Sequence, residues 1–257
     1  MRDLFDLHDH VAVLSGGHGA IAEAMAGALA ARGCHLVLGA RRVDRCEELA
    51  RRLTREHGVT ALAHSLDVSD EKSVQSFVTA ALGVTGRIDV AINSAATFWA
   101  APPEEVPIER GWRRVIDVNL TGAFLLAQAA GRVMLTQGCG SIINVSSFGG
   151  LTTLLPRDGS TISYTTSKGA MISLTRDLAA QWAHKGVRVN ALAPGFIATG
   201  MADTIEKERI ERLTADIPMG RFGRPEELAG AVVFLASAAS SYVTGAVLSA
   251  DGGRAIV

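Results

Sequence analysis

Cysteine is scarce in this chain: Cys34, Cys46 and Cys139 are the only three, widely spaced and odd in number. That excludes a disulfide framework and offers no zinc site. No uninterrupted apolar run approaches a membrane span, and the opening MRDLFDLHDH lacks the apolar stretch of a secretory signal. Charge of one sign is missing too. Lysine and arginine total 25 against 26 acidic residues, for a net charge of −1. No basic stripe marks a nucleic-acid binder. Proline, at 7 residues, is too rare for a collagen-like or disordered chain. A soluble, cytoplasmic protein of a reducing compartment is expected, with no nucleic-acid, membrane or metal partner.

Glycine is what the chain has in excess, 27 of 257 residues, and 48% of the residues are hydrophobic. In a core-forming chain such glycines mark tight turns or close backbone approach. Short apolar runs, at 11–14, 35–38, 61–66, 89–92, 141–145, 187–192 and 246–249, read as strands. Between them lie helical patterns at 20–31, 43–56, 71–82, about 109–135 and 163–184, and an amphipathic stretch at 201–215 that could be a helix over a site or an ordinary surface helix. Continuous apolar strands separated by helices predict an α/β fold, a single doubly wound Rossmann-type parallel sheet of about seven strands with helices on both faces. No linker or repeat divides the chain, so residues 1–257 are expected to form one domain. Ligands in such sheets bind beyond the carboxyl ends of the strands.

After the first strand, Ser15-Gly16-Gly17-His18-Gly19-Ala20-Ile21-Ala22 is a turn of small residues entering a helix. Backbone there can approach a pyrophosphate, which the helix N-terminus would hold; a tight turn needs the same residues. Where an NAD-binding unit places a carboxylate after its second strand stands Ala40, followed by Arg41 and Arg42. Two guanidinium groups there could bind a 2′-phosphate, or simply open the next helix on a solvated face. Asp67-Val68 could meet an adenine or cap a helix, and Asn93-Ser94-Ala95-Ala96 would let backbone pass beneath a ribose.

Tyr164 and Lys168 are four apart on one helix and share a face. A nearby ammonium favours the phenolate, bringing a group of pKa about 10 within reach of proton transfer. Ser146 and Ser147 follow the fifth strand, so one hydroxyl can polarise a carbonyl oxygen in the same crevice. Asn119 is an awkward resident of the long fourth helix unless it is used, for instance to hold a water against Lys168.

This ordered set, from the glycine turn through Asn93, Asn119, Ser147, Tyr164 and Lys168 to Asn190-Ala191-Leu192-Ala193-Pro194-Gly195, resembles the classical short-chain dehydrogenase/reductase family. The resemblance spans about 14–253, with Ser15, Ala20, Ala22 and Ala96 departing from its pattern. It implies an oxidoreductase that moves a hydride between NADP(H) and a ketone or secondary alcohol. Tyr164 would be the general acid or base, Ser147 (or Ser146) would orient the substrate oxygen, Lys168 would bind ribose, and Asn119 would anchor a relay water. Cofactor contacts would come from Ser15, Gly16, His18, Gly19, Ile21, Arg41, Arg42, Asp67, Val68, Asn93, Ala95, Tyr164, Lys168, Pro194, Gly195, Ile197 and Thr199. NADP(H) is favoured by the arginines, although Gly19 stands where many NADP-dependent relatives carry a basic residue, so NAD(H) stays open.

Phe98, Trp99, Phe148, Leu151, Phe196 and Met201 are the candidate substrate wall, apolar enough for a neutral or hydrophobic body. From Ser147 to Tyr164 is 17 residues, longer than the family commonly has, and the extra length falls in 155–160 at the pocket rim, either as a neutral surface insertion or in contact with substrate. Relatives are often homotetramers or dimers. The rivals are an NAD-dependent polyol, sugar-acid or hydroxysteroid-type alcohol dehydrogenase, and a non-catalytic dinucleotide-binding sensor. A hydrolase elbow is excluded by Val145, which replaces its first glycine.

Overall fold

A computed structural model describes residues 3–153, 160–199 and 207–257, apart from the side chains of Lys207 and Arg209. Seven parallel strands, β1 (Val11–Ser15), β2 (His35–Ala40), β3 (Ala61–Ser65), β4 (Val90–Asn93), β5 (Gly140–Val145), β6 (Val187–Pro194) and β7 (Val247–Ala250), form one sheet. Their order is β3-β2-β1-β4-β5-β6-β7, so the chain reverses direction across the sheet between β1 and β4. The crevice expected to bind ligand opens there. β2 extends to Ala40 because Gly39 and Ala40 keep pairing, with His64 and Ser65.

Helices α1 (Ala20–Ala30), α2 (Val43–His57), α3 (Glu71–Thr85), α4 (Ile108–Gln137), α5 (Ile162–Trp182), α6 (Lys207–Ala215) and α7 (Ala229–Ala236) cover both faces. Strand side chains alternate between the faces. Leu14, Leu38 and Ile92 pack with Met25 and Leu29 of α1, Leu53 of α2 and Val232 of α7. Their neighbours Val13, Val37 and Ala91 pack with Phe77 of α3, Leu126 and Met134 of α4 and Leu178 of α5. This two-faced burial is why the strands read as continuous apolar runs. By length and composition α4 could cross a membrane, yet half of its most apolar window is buried inside the protein. It is the core helix that covers β4 and β5.

Helix α7 and the short 3-10 turn Pro225–Leu228 before it have no counterpart in the sequence expectation. Their signal was present: Pro225 at the first helical position and Glu227 accepting from the Arg224 amide, 2.8 Å. The expected helix over 201–215 is described only from Lys207, and residues 201–206 lie outside the described residues.

Helices α2, α3 and α4 end on Gly58, Gly86 and Gly138 with positive φ, the usual left-handed stop. Gly186, entering β6, is more constrained: its φ is +80°, and a Cβ would overlap the carbonyl oxygen of Gly138. Gly186→Ala is therefore expected to cost about 3 kcal/mol, a fall in Tm of roughly 6–10 °C for a domain of this size. Gly230→Ala in α7, where a Cβ meets nothing within 4 Å, is the neutral control. Thermal melts of the two variants check this, and equal melting temperatures would refute it.

Candidate active site

Most of the predicted residues that the structure describes lie at the carboxyl edge of the sheet. Gly16 (φ +75°) presses the β1 turn against β4; a Cβ there would sit 2.8 Å from the Ala95 backbone. Ser15 is enclosed and ties the two turns together, donating to the Ile92 carbonyl (3.3 Å) and accepting from the amides of Ser94 (3.1 Å) and Ala95 (3.3 Å). Its hydroxyl thus braces the turn instead of facing it. The first hydrogen bond of α1 runs from the Glu23 amide to the Gly19 carbonyl, 2.8 Å, and Gly19 supplies no side-chain cap. The amides ahead of that bond are directed out of the helix, as an anion site requires. Ala22, where the family has glycine, is buried in the core between α1 and the sheet. A pyrophosphate fits this edge.

Arg41 and Arg42 are exposed after β2, with Arg42 opening α2 and no carboxylate between them and Ala40. His18, at the tip of the glycine turn, has its pKa pushed down by burial and then by the charges of Arg42 and Arg45. Across the crevice Asp67 accepts from the Ser69 amide (3.0 Å) and hydroxyl (2.6 Å). The Ser69 hydroxyl bond is the main reason its carboxyl stays below the usual range, and Arg41 adds to it. Asp70, not Asp67, caps α3. Val68 packs against Gly122 of α4, where a Cβ would come within 2.7 Å of its side chain. Asn93 is buried and donates to Asn144, 2.8 Å, so its amide locks β4 to β5.

Beyond β5, the Ser146 hydroxyl donates to the Lys168 carbonyl, 2.9 Å, and is spent on helix docking. Ser147 caps the short turn Phe148–Gly150, accepting from the Gly149 amide at 3.1 Å. A side-chain hydrogen bond joins it to Tyr164. Of the two serines, only Ser147 reaches the tyrosine. Burial raises the Tyr164 pKa, and the Ser147 hydroxyl opposes the rise. Lys168 is 2% exposed, and its Nζ donates to the Val145 carbonyl at 2.7 Å and lies 5.6 Å from the Tyr164 ring centre. Burial brings its pKa down to about 8. One of its three donors is thus engaged by β5, and it faces the tyrosine ring without a hydrogen bond to the phenol.

Asn119 lies in a widened, π-type turn of α4 (Asp117–Thr121) and is fully buried. Its Oδ1 accepts from the Thr97 amide (2.8 Å), and its Nδ2 donates to the Thr97 carbonyl (2.9 Å) and to Ser167 Oγ (3.0 Å). The side chain therefore clamps the β4 loop to α5, and both amide protons are taken.

Of the expected substrate wall, Phe98 is 60% and Leu151 41% exposed, whereas Phe148 is 4% exposed and serves as backing. Phe148 packs on Phe196 (ring centres 4.9 Å apart), and Phe196 on Phe222 (5.4 Å). The Arg254 guanidinium lies 5.8 Å from the Phe148 ring centre. Trp99 packs toward Gly111. Phe222 and Arg254 escaped the sequence reading, because nothing local marks a phenylalanine after a turn as part of an aromatic stack. Pro194 ends β6; Gly195, Ile197 and Thr199 follow it, with Gly195 against Asp251, where a Cβ would come within 2.6 Å of Cα. A cavity of about 310 Å³ opens there, lined by Phe196, Ile197, Met219, Arg221 and Asp251. A slightly larger one, about 340 Å³, lies at the opposite edge beside His8 and Arg32, away from every predicted site residue. Met201 and most of the extra segment, 155–159, lie outside the described residues.

A doubly wound sheet with a glycine turn at its switch point and a Tyr-Lys helix beside it defines a dinucleotide-binding oxidoreductase fold. The family model described as enoyl-(acyl carrier protein) reductase matches residues 17–255. The chain is 38% identical to galactitol 2-dehydrogenase (L-tagatose-forming) of Cereibacter sphaeroides, over 99% of this chain and 98% of that protein. It is 36% identical to 2-dehydro-3-deoxy-D-gluconate 5-dehydrogenase of Bacillus subtilis, over 98% and 97%. The crystal structure of NADPH-dependent 3-quinuclidinone reductase from Rhodotorula rubra superposes with a TM-score of 0.92 at 32% identity, covering 99% of this chain and 94% of that one. The chain belongs to the short-chain dehydrogenase/reductase family, oxidoreductases that use a nicotinamide dinucleotide.

Proposed function

We propose that residues 1–257 form one catalytic domain of a cytoplasmic NADP(H)-dependent enzyme that interconverts a ketone and a secondary alcohol. One observation carries the reading: a tyrosine hydroxyl bonded to Ser147 lies on the same helix face as a buried lysine, at the carboxyl edge of the sheet. Bound there, the nicotinamide would supply or accept the hydride. The Ser147 hydroxyl donates to the substrate oxygen and fixes it near Tyr164. In reduction the Tyr164 hydroxyl gives its proton to that oxygen; in oxidation the phenolate takes it back. Lys168 has two donors left for ribose hydroxyls, and its ammonium, 5.6 Å from the Tyr164 ring centre, would work against the burial that raises the tyrosine pKa. The Asn119 amide is fully engaged, so a relay water would rest on main-chain carbonyls that its clamp positions.

Pyrophosphate would lie on the α1 N-terminus over Gly16, Gly19 and Ile21, and adenosine between Asp67-Val68 and Ala95. Arg41 and Arg42 would hold the 2′-phosphate. Charge-assisted hydrogen bonds are worth about 1.5–3 kcal/mol each, so losing both with Arg41→Ala and Arg42→Ala is expected to weaken NADPH binding by about 100-fold or more and leave NADH binding within about threefold. Titrating nicotinamide fluorescence checks this; NADH binding tighter than NADPH, indifferent to both substitutions, would overturn the cofactor assignment. Exposed Phe124 on α4 and Ile162 on α5 support assembly into a homo-oligomer through those helices.

The curated relatives named above act on a polyol and a sugar acid, which supports a hydroxylated substrate and keeps the polyol or sugar-acid dehydrogenase as the second reading. Following NADPH and NADP⁺ absorbance over a panel of ketones, polyols and sugar acids tests both. Cofactor binding without turnover of any member would favour a sensor.

A further inference from the structure

His18 is the one side chain larger than a methyl group between Gly16 and Ala20, and its Nδ1 is buried without a hydrogen-bond partner among the described residues. An orphaned buried polar atom is unusual enough to require a reason. Its surroundings supply one. From the β2–α2 turn Arg41 and Arg42 act on it, and from α2 Arg45 and Asp44. Cys46, also on α2, has its Sγ 3.5 Å from where a Cβ of Gly17 would lie; burial and Asp44 raise its pKa to about 11, so it brings no charge. Three cations against one carboxylate, added to burial, hold the imidazole neutral near pH 7.

We propose that His18 is the proton-sensing member of the 2′-phosphate subsite: a phosphate dianion docking among Arg41, Arg42 and Arg45 draws a proton onto the imidazole, so discrimination for NADPH over NADH strengthens as pH falls. The inference rests on the NADP(H) reading. Its physics is a change in the sign of the local field. The cations that now repel a proton are neutralised by the bound dianion, and Nε2, the ring nitrogen left once Nδ1 is enclosed, takes up the proton and becomes a further charge-assisted donor. Proton uptake on binding follows from linkage. The phosphate's own second pKa, near 6, gives the opposite sign, because cations favour the dianion and binding then releases a proton. Above about pH 7 free phosphate is already a dianion, and the imidazole term stands alone. Lys168, which titrates near 8, meets the nicotinamide half of either cofactor and cancels in their ratio.

The test measures Kd for NADPH and NADH by fluorescence titration at pH 6.5, 7.5 and 8.5, in wild type and His18→Gln. The wild-type ratio of the NADH Kd to the NADPH Kd is expected to fall about five- to tenfold from pH 6.5 to 8.5, and less than twofold in the variant. Calorimetry at pH 7.5 in two buffers of different ionisation enthalpy should show more proton uptake with NADPH than with NADH, and loss of that excess in His18→Gln. A flat wild-type ratio with tight NADPH binding, or an equal slope in the variant, overturns the role of His18. NADPH binding no tighter than NADH at every pH instead overturns the cofactor reading beneath it.

Discussion

Tyr164→Phe is expected to lower kcat about a thousandfold, the usual worth of a positioned proton donor, while NADPH binding changes less than about threefold. The split follows from where the hydroxyl sits. Its partner is Ser147, beyond β5, and the Lys168 ammonium approaches the ring, not the oxygen. In the proposed mechanism, removing one oxygen would therefore delete the group that exchanges a proton with substrate and leave the amine assigned to the ribose in place. Stability should shift by less than about 1 kcal/mol, because Ser147 keeps its bond from the Gly149 amide and can turn to water. Steady-state kinetics beside a cofactor titration separates the effects. A variant retaining a tenth of wild-type turnover would mean that another group carries the proton. An equal loss in cofactor affinity would recast Tyr164 as part of the nucleotide cradle.

What was legible in the sequence was local. Strands buried on both faces must be continuous apolar runs, and a turn that brings backbone to within contact of Ala95 must be glycine, so β1, Gly16 and the order of elements could be read without coordinates. Tyr164 and Lys168 were legible because helical spacing places residues four apart side by side. The choice between Ser146 and Ser147 was not. It depends on the Ser146 hydroxyl meeting a carbonyl 22 residues away on α5, a contact no spacing encodes. Asn119 is legible as an awkward resident of a helix, but its partners Thr97 and Ser167 come from two other elements. Phe148, read as a pocket residue from its place beside Ser147, proves to be the buried base of a stack completed by Phe196 and Phe222. Side-chain direction after a short 3-10 turn is set by what the chain packs on later, and that information is not local.

Lys168→Met should abolish most turnover, by about a hundredfold or more, and at the same time change how stability depends on pH. Buried and desolvated, Lys168 has a folded-state pKa of about 8; unfolded, it returns to about 10.4. Below pH 8 both states carry the proton, and the folded state bears the cost of an enclosed ammonium. Between pH 8 and about 10.4 the folded state has released a proton that the unfolded state still holds, so this residue's contribution becomes steadily more favourable as pH rises. A separation of about two and a half units corresponds to about 3 kcal/mol over that window. Methionine has no such term, and its own cost is the Val145 carbonyl left without its 2.7 Å donor, about 1–3 kcal/mol. Near pH 7 the two effects nearly offset, and wild type and variant should unfold at similar urea concentrations. Toward pH 10 the wild type should gain on the variant. Parallel urea-midpoint curves from pH 7 to 10 would show that the ammonium is better solvated than its burial implies. Diverging curves would establish that the fold holds a charge at a cost in stability, as its proposed use beside Tyr164 would explain.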